Sequence, residues 1–166
     1  KTVLITGGST GIGKSTALAF AEEGAKVLIT GRNEETLKES ADQHENISYL
    51  KADASRSEDA AATIKHVEES FGSLDILINN AGIALFAPLE MSSMEVFDSQ
   101  FNTNVRGLFE LTKLALPLLE KSKGVILNTA SGVAEAPLEN ASAYAATKAA
   151  VVSLTKCWAK ELAPKD

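Results

Sequence analysis

Thr6-Gly7-Gly8-Ser9-Thr10-Gly11-Ile12-Gly13-Lys14-Ser15 follows the apolar run Val3-Leu4-Ile5 and leads into an amphipathic pattern over residues 12–23. A strand, a glycine-rich turn and a helix in that order open a nucleotide-binding α/β unit. Glycines let the chain turn tightly and let a phosphate approach backbone N–H groups at the positive end of the helix. Two loop chemistries compete for these residues. Gly8 through Ser15 spells the phosphate-loop pattern G-x-x-x-x-G-K-[ST] of nucleotide triphosphatases, whereas the common dinucleotide fingerprint G-x-G-x-x-G is not matched. Later apolar runs, however, end in Asn79-Asn80 and Asn128-Thr129, not in an aspartate that would hold Mg²⁺ through water. The triphosphatase reading also leaves Gly7 and Gly11 without a purpose. The balance favours a dinucleotide, with Lys14 as a solvated first-turn residue.

Outward from the loop, short unbroken apolar runs alternate with helical patterns. Val3-Leu4-Ile5, Val27-Leu28-Ile29, residues 74–78 and Val125-Ile126-Leu127 read as strands buried on both faces, with 47–51 a weaker one. Helical patterns cover 12–23, 34–43, 56–71, 94–120 and 143–162. Gly24 and Gly72 stand at expected helix stops, and Ser55-Arg56-Ser57-Glu58 and Ser92-Ser93-Met94-Glu95 read as capping boxes. Strands alternating with helices predict an α/β fold with a doubly wound parallel sheet. Residues 1–166 show no repeat, low-complexity stretch or linker, so one domain is expected.

Composition narrows the partners. Apolar residues make up 45% and charged residues 23% of the 166, a soluble globular balance. A net charge of −6 with interspersed signs offers no basic stripe, so nucleic acid is not an expected partner. No apolar run approaches the ~20 residues of a membrane helix. Cys157 is the single cysteine, and the N-terminal stretch reaches Gly7 too soon for a signal peptide; a cytoplasmic protein is expected.

Tyr144-Ala145-Ala146-Thr147-Lys148 carries the second chemical signal, with Ser131 thirteen residues upstream. Residues four apart share a helix face, so the phenol and the ammonium converge. A phenol is a poor acid or base at neutral pH, and a fixed cation nearby favours the phenolate that general acid–base chemistry needs. A serine at a neighbouring strand end would hold the substrate oxygen beside it. Alone, this spacing is common on helix surfaces.

Together with Gly7-x-x-x-Gly11-x-Gly13, Asn79-Asn80-Ala81-Gly82 and Asn104-Val105-Arg106-Gly107, these residues make the chain resemble the short-chain dehydrogenase/reductase family. The four motifs occur in the family's order and span essentially the whole chain. The resemblance implies a Rossmann-like fold and hydride transfer between a nicotinamide and a carbonyl or secondary alcohol. It assigns Tyr144 as general acid and base, and Lys148 as modulator of the phenol and ligand of the nicotinamide ribose. Ser131 would polarise the carbonyl, and Asn104 would hold a water linking Lys148 to solvent. It places the cofactor on Gly7, Ser9, Thr10, Gly11, Ile12, Gly13, Arg32, Asp53, Asn80, Ala81, Gly82, Tyr144 and Lys148.

In Ile29-Thr30-Gly31-Arg32-Asn33, Gly31 stands where NAD-using relatives carry an aspartate, and Arg32 follows. A guanidinium pairs bidentately with a phosphate, so the pattern points to NADP, with NAD as the alternative. Asp53 matches the acid that contacts the adenine amino group, or it caps a helix. The family also implies a homodimer or homotetramer through the helices over 94–120 and 143–162. Their Leu108, Leu111, Leu114, Leu118, Val151 and Leu154 would form that seam or pack on the sheet. Relatives continue with two further strands and a substrate-covering loop, so the chain to Asp166 is expected to lack the family's C-terminal strands. An inactive 166-residue NADP-binding piece and an active longer parent are both expected on that basis.

His44 and His66 are expected on surface helices away from every motif. No G-x-S-x-G elbow accompanies Ser131 and no metal-ligand cluster appears, which disfavours hydrolase and metal chemistry. Cys157 and Trp158 are expected to serve packing.

Overall fold

Five parallel strands carry the architecture in the computed structural model, which describes residues 1–163; the chain end at Asp166 lies outside the described residues. They are β1 (Thr2–Thr6), β2 (Lys26–Gly31), β3 (Ile47–Lys51), β4 (Ile76–Asn79) and β5 (Val125–Asn128), side by side in the order β3-β2-β1-β4-β5. The connecting helices are α1 (Gly11–Glu22), α2 (Glu34–Ala41), α3 (Ser57–Phe71), α4 (Met94–Phe101) and α5 (Leu108–Ser122); α6 (Ser142–Leu162) follows β5. The chain begins mid-sheet, builds outward to β3 and then returns past β1 to β4. That reversal opens a crevice above the carboxyl ends of β1 and β4, where ligands of doubly wound sheets bind. The expected Rossmann-like sheet is present.

Alternation along the strands sorts the core onto two faces. Val3, Ile5, Val27, Ile29 and Ile78 pack on Ala17 and Ala21 of α1 and on Leu37 of α2. Leu4, Leu28 and Leu77 pack on Ala60 and Val67 of α3 and on Leu111, Ala115 and Leu119 of α5. Each fully buried Leu or Ile among them contributes roughly 1.5–3 kcal/mol. β1 is buried at every position, which is why it reads as continuous apolar sequence.

Several expectations need correction. β5 is not buried on both faces: Val125 is 55% and Leu127 49% exposed, on the α1 side, while Ile126 packs on the α5 side. The helical pattern over 94–120 is interrupted by a π-turn at Asn102–Gly107. Buried Gln100, Asn104 and Leu108 are four apart, an advance of about 40° per step in an α-helix, and the wider turn takes up that drift. Neither capping box forms. Ser55 bonds Asp53 rather than the start of α3, whose N-cap is Arg56, and Ser93, not Ser92, caps α4 by accepting from Val96 N–H at 3.2 Å. His44 lies in the turn after α2, where its Nδ1 accepts from Asn46 N–H at 3.1 Å. His66 is on α3, edge-on to Phe71. Cys157 is exposed instead of packed, whereas Trp158 meets Phe109 at 5.8 Å. Of the candidate seam residues, Leu108, Leu111 and Val151 are buried and Leu118 packs on the sheet core, leaving exposed Leu114 and half-buried Leu154 on one outward groove. No described helix is long and apolar enough to cross a membrane.

Candidate active site

Carboxyl-end residues of β1 to β4 line an open cleft of about 380 Å³. Gly7, Ser9, Thr10, Gly11, Ile12, Arg32, Asp53, Asn80, Ala81 and Gly82 line it, joined by Thr30, Gly31, Ala52, Ala54, Ile83 and Thr103. Gly13, Tyr144 and Lys148 do not. The cleft floor is largely backbone. Gly7 and Gly11 have φ of +64° and +53°, a region that side-chained residues rarely adopt. A Cβ on Gly7 would lie 2.9 Å from Ala81 Cα, so the turn lies flat against the end of β4. Gly13 is buried beneath the loop, where a Cβ would collide with the Gly7 carbonyl. Gly13 thus lets α1 pack against the turn.

The phosphate-loop alternative meets an obstacle here. Gly8, its first glycine, donates its N–H to the Thr30 carbonyl at 3.0 Å, and a Cβ there would strike Ile29 at 2.5 Å. That amide is tied to β2 and cannot turn toward a phosphate. Half-buried Lys14 does not line the cleft. Thr10, the N-cap of α1, makes no side-chain cap bond, so the first-turn amides face the cleft mouth without a protein cap.

Side chains sew the strand ends together under the cleft. Asn80 Nδ2 donates to the carbonyls of Thr6 and Gly7 at 3.1 and 3.0 Å. Thr6 Oγ1 accepts from the N–H groups of Asn80 and Ala81 at 3.1 and 3.0 Å. Asp53 is not a helix cap: its Oδ1 accepts from Ser55 N–H at 2.9 Å and Ser55 Oγ at 2.7 Å. Burial alone would raise the Asp53 carboxyl, but the Ser55 bonds, then the charges of Arg32 and Arg56, outweigh it and hold it below its ordinary value of 3.8. Exposed Arg32 and half-buried Asp53 therefore feel each other across the outer part of the cleft.

The catalytic candidates gather at the inner end. Lys148 is 5% exposed, donates from Nζ to the Thr129 carbonyl at 2.7 Å, and sits 5.9 Å from the Tyr144 ring centroid. Burial pushes its ammonium below the ordinary 10.5. Gly82 separates the two halves. A Cβ there would lie 3.3 Å from Asn104 Oδ1 and 3.5 Å from Lys148 Nζ, so a bare backbone lets the cleft and the ammonium approach. Asn104, in the π-turn, is committed by its amide: Oδ1 accepts from Ile83 N–H at 2.8 Å, and Nδ2 donates to the Ile83 carbonyl at 2.8 Å and to Thr147 Oγ1 at 3.0 Å. Thr147 in turn donates to the Tyr144 carbonyl at 2.7 Å. Asn104, Lys148, Tyr144 and Gly82 thus form one cluster. Ser131 joins it through the chain, two residues after Thr129, and its Oγ accepts weakly from Val133 N–H at 3.4 Å.

Sequence reasoning missed Thr6, Thr129 and Thr147, which hold Asn80, Lys148 and Asn104 in place. Thr147 carried a signal, standing three residues from Tyr144 on one helix face. Thr129 acts through its backbone, and residue type says nothing about that.

With this geometry in place, comparison with known proteins gives a consistent picture. A family model described as short chain dehydrogenase matches residues 1–166. An uncharacterized oxidoreductase of Staphylococcus aureus (strain MRSA252) is 36% identical over 98% of the chain, which spans 72% of that relative. An uncharacterized oxidoreductase of Thermotoga maritima is 39% identical over 94% of the chain, which spans 63% of it. A 3-ketoacyl-(acyl-carrier-protein) reductase from Brucella melitensis, solved with NADH, superposes with a TM-score of 0.96 at 38% identity, covering 99% of this chain and 70% of that one. A putative short-chain alcohol dehydrogenase from Sinorhizobium meliloti superposes with a TM-score of 0.94 at 32% identity, covering 99% and 68%.

Proposed function

The chain belongs to the short-chain dehydrogenase family of oxidoreductases, and from that premise we propose that it interconverts a carbonyl and a secondary alcohol with NADP(H), using Tyr144 as general acid and base. The observation that carries this reading is the buried Lys148 ammonium beside Tyr144, at the inner end of a cleft floored by glycine backbone.

The cleft suits a dinucleotide. Gly7 and Gly11 leave backbone where side chains would fill the cradle, and the uncapped α1 N-terminus favours a diphosphate. Bound there, the nicotinamide supplies or accepts the hydride. In the reducing direction Tyr144 gives its phenolic proton to the carbonyl oxygen as the carbon becomes an alcohol carbon; in the oxidising direction the phenolate takes it back. Lys148 would stabilise that phenolate by its charge and would hold the ribose of a bound nicotinamide cofactor. Its bond to Thr129 fixes the direction from which the charge acts. Ser131 donates to the same substrate oxygen. Asn104 keeps the Ile83 backbone and α6 in register, so the phenol stays over the reacting carbon.

Arg32, following Gly31 at the end of β2, supports NADP by offering a guanidinium to a 2′-phosphate. NADH in the related ketoacyl reductase supports the alternative. A homodimer or homotetramer through α5 and α6 is part of the proposal, supported by the groove lined by Phe101, Val105, Phe109, Leu114 and Leu154. Calorimetric titration with NADPH, NADH and Mg–ATP, followed by turnover of a carbonyl panel, tests the reading. NADPH is expected to bind tightest; tighter NADH binding overturns the cofactor choice, and absence of any turnover by the full-length protein overturns the reaction.

A further inference from the structure

Residues 83–87 leave β4 and pass the cofactor cleft toward Tyr144 without joining a strand, yet every second backbone N–H in them is held. Ile83 is clamped through both its N–H and its carbonyl by Asn104, at 2.8 Å each. Leu85 N–H donates to Gln100 Oε1 at 3.0 Å. Ala87 N–H donates to the Asn140 carbonyl at 2.9 Å, at a residue whose φ is +64°. Gln100 and Asn104 are four residues apart across the junction of α4 and the π-turn, so one rod presents two carboxamides to one segment. The segment is a strap laid over side-chain amides. Between its pinned residues stands Phe86, 59% exposed, its ring edge-on to Tyr144 at 5.8 Å and 70°.

Gln100 has no packing reason to be polar. It is completely buried, its Nε2 has no hydrogen-bond partner among the described residues, and an apolar residue there would avoid that penalty. The bond to Leu85 is what its amide accomplishes, and that bond fixes the residue next to Phe86. The surroundings say what Phe86 would meet. Leu85, Leu89, Met91 and Leu138 are all exposed by 43% or more in the two segments that flank Tyr144. Residues 83–91 and 132–141 carry Glu90, Glu135 and Glu139 and no lysine or arginine. Apolar surface with an acidic fringe favours an uncharged apolar group and disfavours a carboxylate.

We infer that Gln100 is a positioning residue which, through the strap over residues 83–87, holds Phe86 against Tyr144 as the wall selecting uncharged carbonyl substrates with an apolar larger substituent. The inference rests on the hydride-transfer reading above. Its test compares wild type, Gln100→Met, Phe86→Ala and the double variant of the full-length protein on two methyl ketones, one carrying a phenyl group and one a second methyl. Hydrogen exchange of the 83–87 amides is followed alongside. Wild type is expected to favour the phenyl ketone at least tenfold in kcat/KM, within the range apolar pockets reach. Each single variant is expected to lose about tenfold of that preference, mostly in KM, with cofactor Kd within twofold. The double variant should lose no more than Phe86→Ala, because Gln100 acts through Phe86. Gln100→Met should also speed exchange at Leu85. Turnover without preference, fully additive losses, or unchanged Leu85 exchange overturns the inference while leaving the reaction standing. Turnover of neither ketone overturns the inference, whereas the reaction itself falls only if the wider carbonyl panel also gives no turnover.

Discussion

The two ends of the crevice are built from different materials. The proposed cofactor end is backbone: Gly7, Gly11 and Gly82 matter for atoms they lack, and Thr6 and Asn80 stitch strand ends beneath them. The proposed catalytic end is side chain: Tyr144, Lys148, Asn104 and Thr147 are placed by bonds reaching across the end of β5, the π-turn and α6. A site made of vacancies is damaged by adding atoms and tolerates many chemistries nearby. A site made of functional groups is damaged by removing them, and the fold survives the loss. Binding and turnover should therefore fail separately.

The sharpest break in that contrast is Tyr144→Phe, which keeps the ring that meets Phe86 and removes the proton. Turnover should fall by about 10³-fold while cofactor affinity stays within a few-fold, measured by steady-state kinetics and calorimetry. The opposite lesion is Gly13→Ala, one added methyl against the Gly7 carbonyl. It should cost about 3 kcal/mol, a fall of roughly 6–12 °C in Tm, with cofactor binding lost as the loop shifts.

Lys148→Met should lower turnover by about 10²-fold. Because burial holds the ammonium below 10.5, activity that depends on its charge should decline on the alkaline side before pH 10.5. Lys148→Arg should move that limb upward, read from the pH profile of kcat. Arg32→Gln should cost NADPH about tenfold in Kd and leave NADH nearly unchanged; equal losses for both would show that the guanidinium does not read the phosphate. Asp53→Asn should have the least effect, about 0.5 kcal/mol. Its folded carboxyl lies below 3.8, so its contribution is complete above the unfolded value and is lost as pH falls through the folded one. The variant should be slightly less stable than wild type at pH 7 and indistinguishable from it in strong acid, by thermal unfolding.

Much of the molecule was legible as sequence, for reasons that differ by region. β1 and β2 announce themselves because both faces are covered, so their apolar runs are continuous. β5 carries the same kind of run, yet Val125 and Leu127 are half-exposed. An apolar triplet records strand propensity without recording what covers it. The cleft residues were readable because glycine spacing encodes a turn directly. The π-turn was not, since residues 94–120 keep a helical pattern through it and the drift of the buried row appears only once Gln100, Asn104 and Leu108 must all face inward. The capping boxes misled because Ser55 found a better partner in Asp53 two residues away.

Local chemistry was therefore already written in the chain: a glycine turn after a buried strand, a phenol and an ammonium four residues apart, and the strand–helix alternation that makes the sheet parallel. Those depend on neighbours within one or two helical turns, where spacing translates directly into geometry. The bond from Lys148 to a backbone carbonyl at Thr129, the clamp of Asn104 on Ile83 and the support of Leu85 by Gln100 needed the folded molecule. Each joins a side chain to a backbone group of unrelated sequence position, and every residue carries the same backbone, so nothing in the letters marks which one is reached.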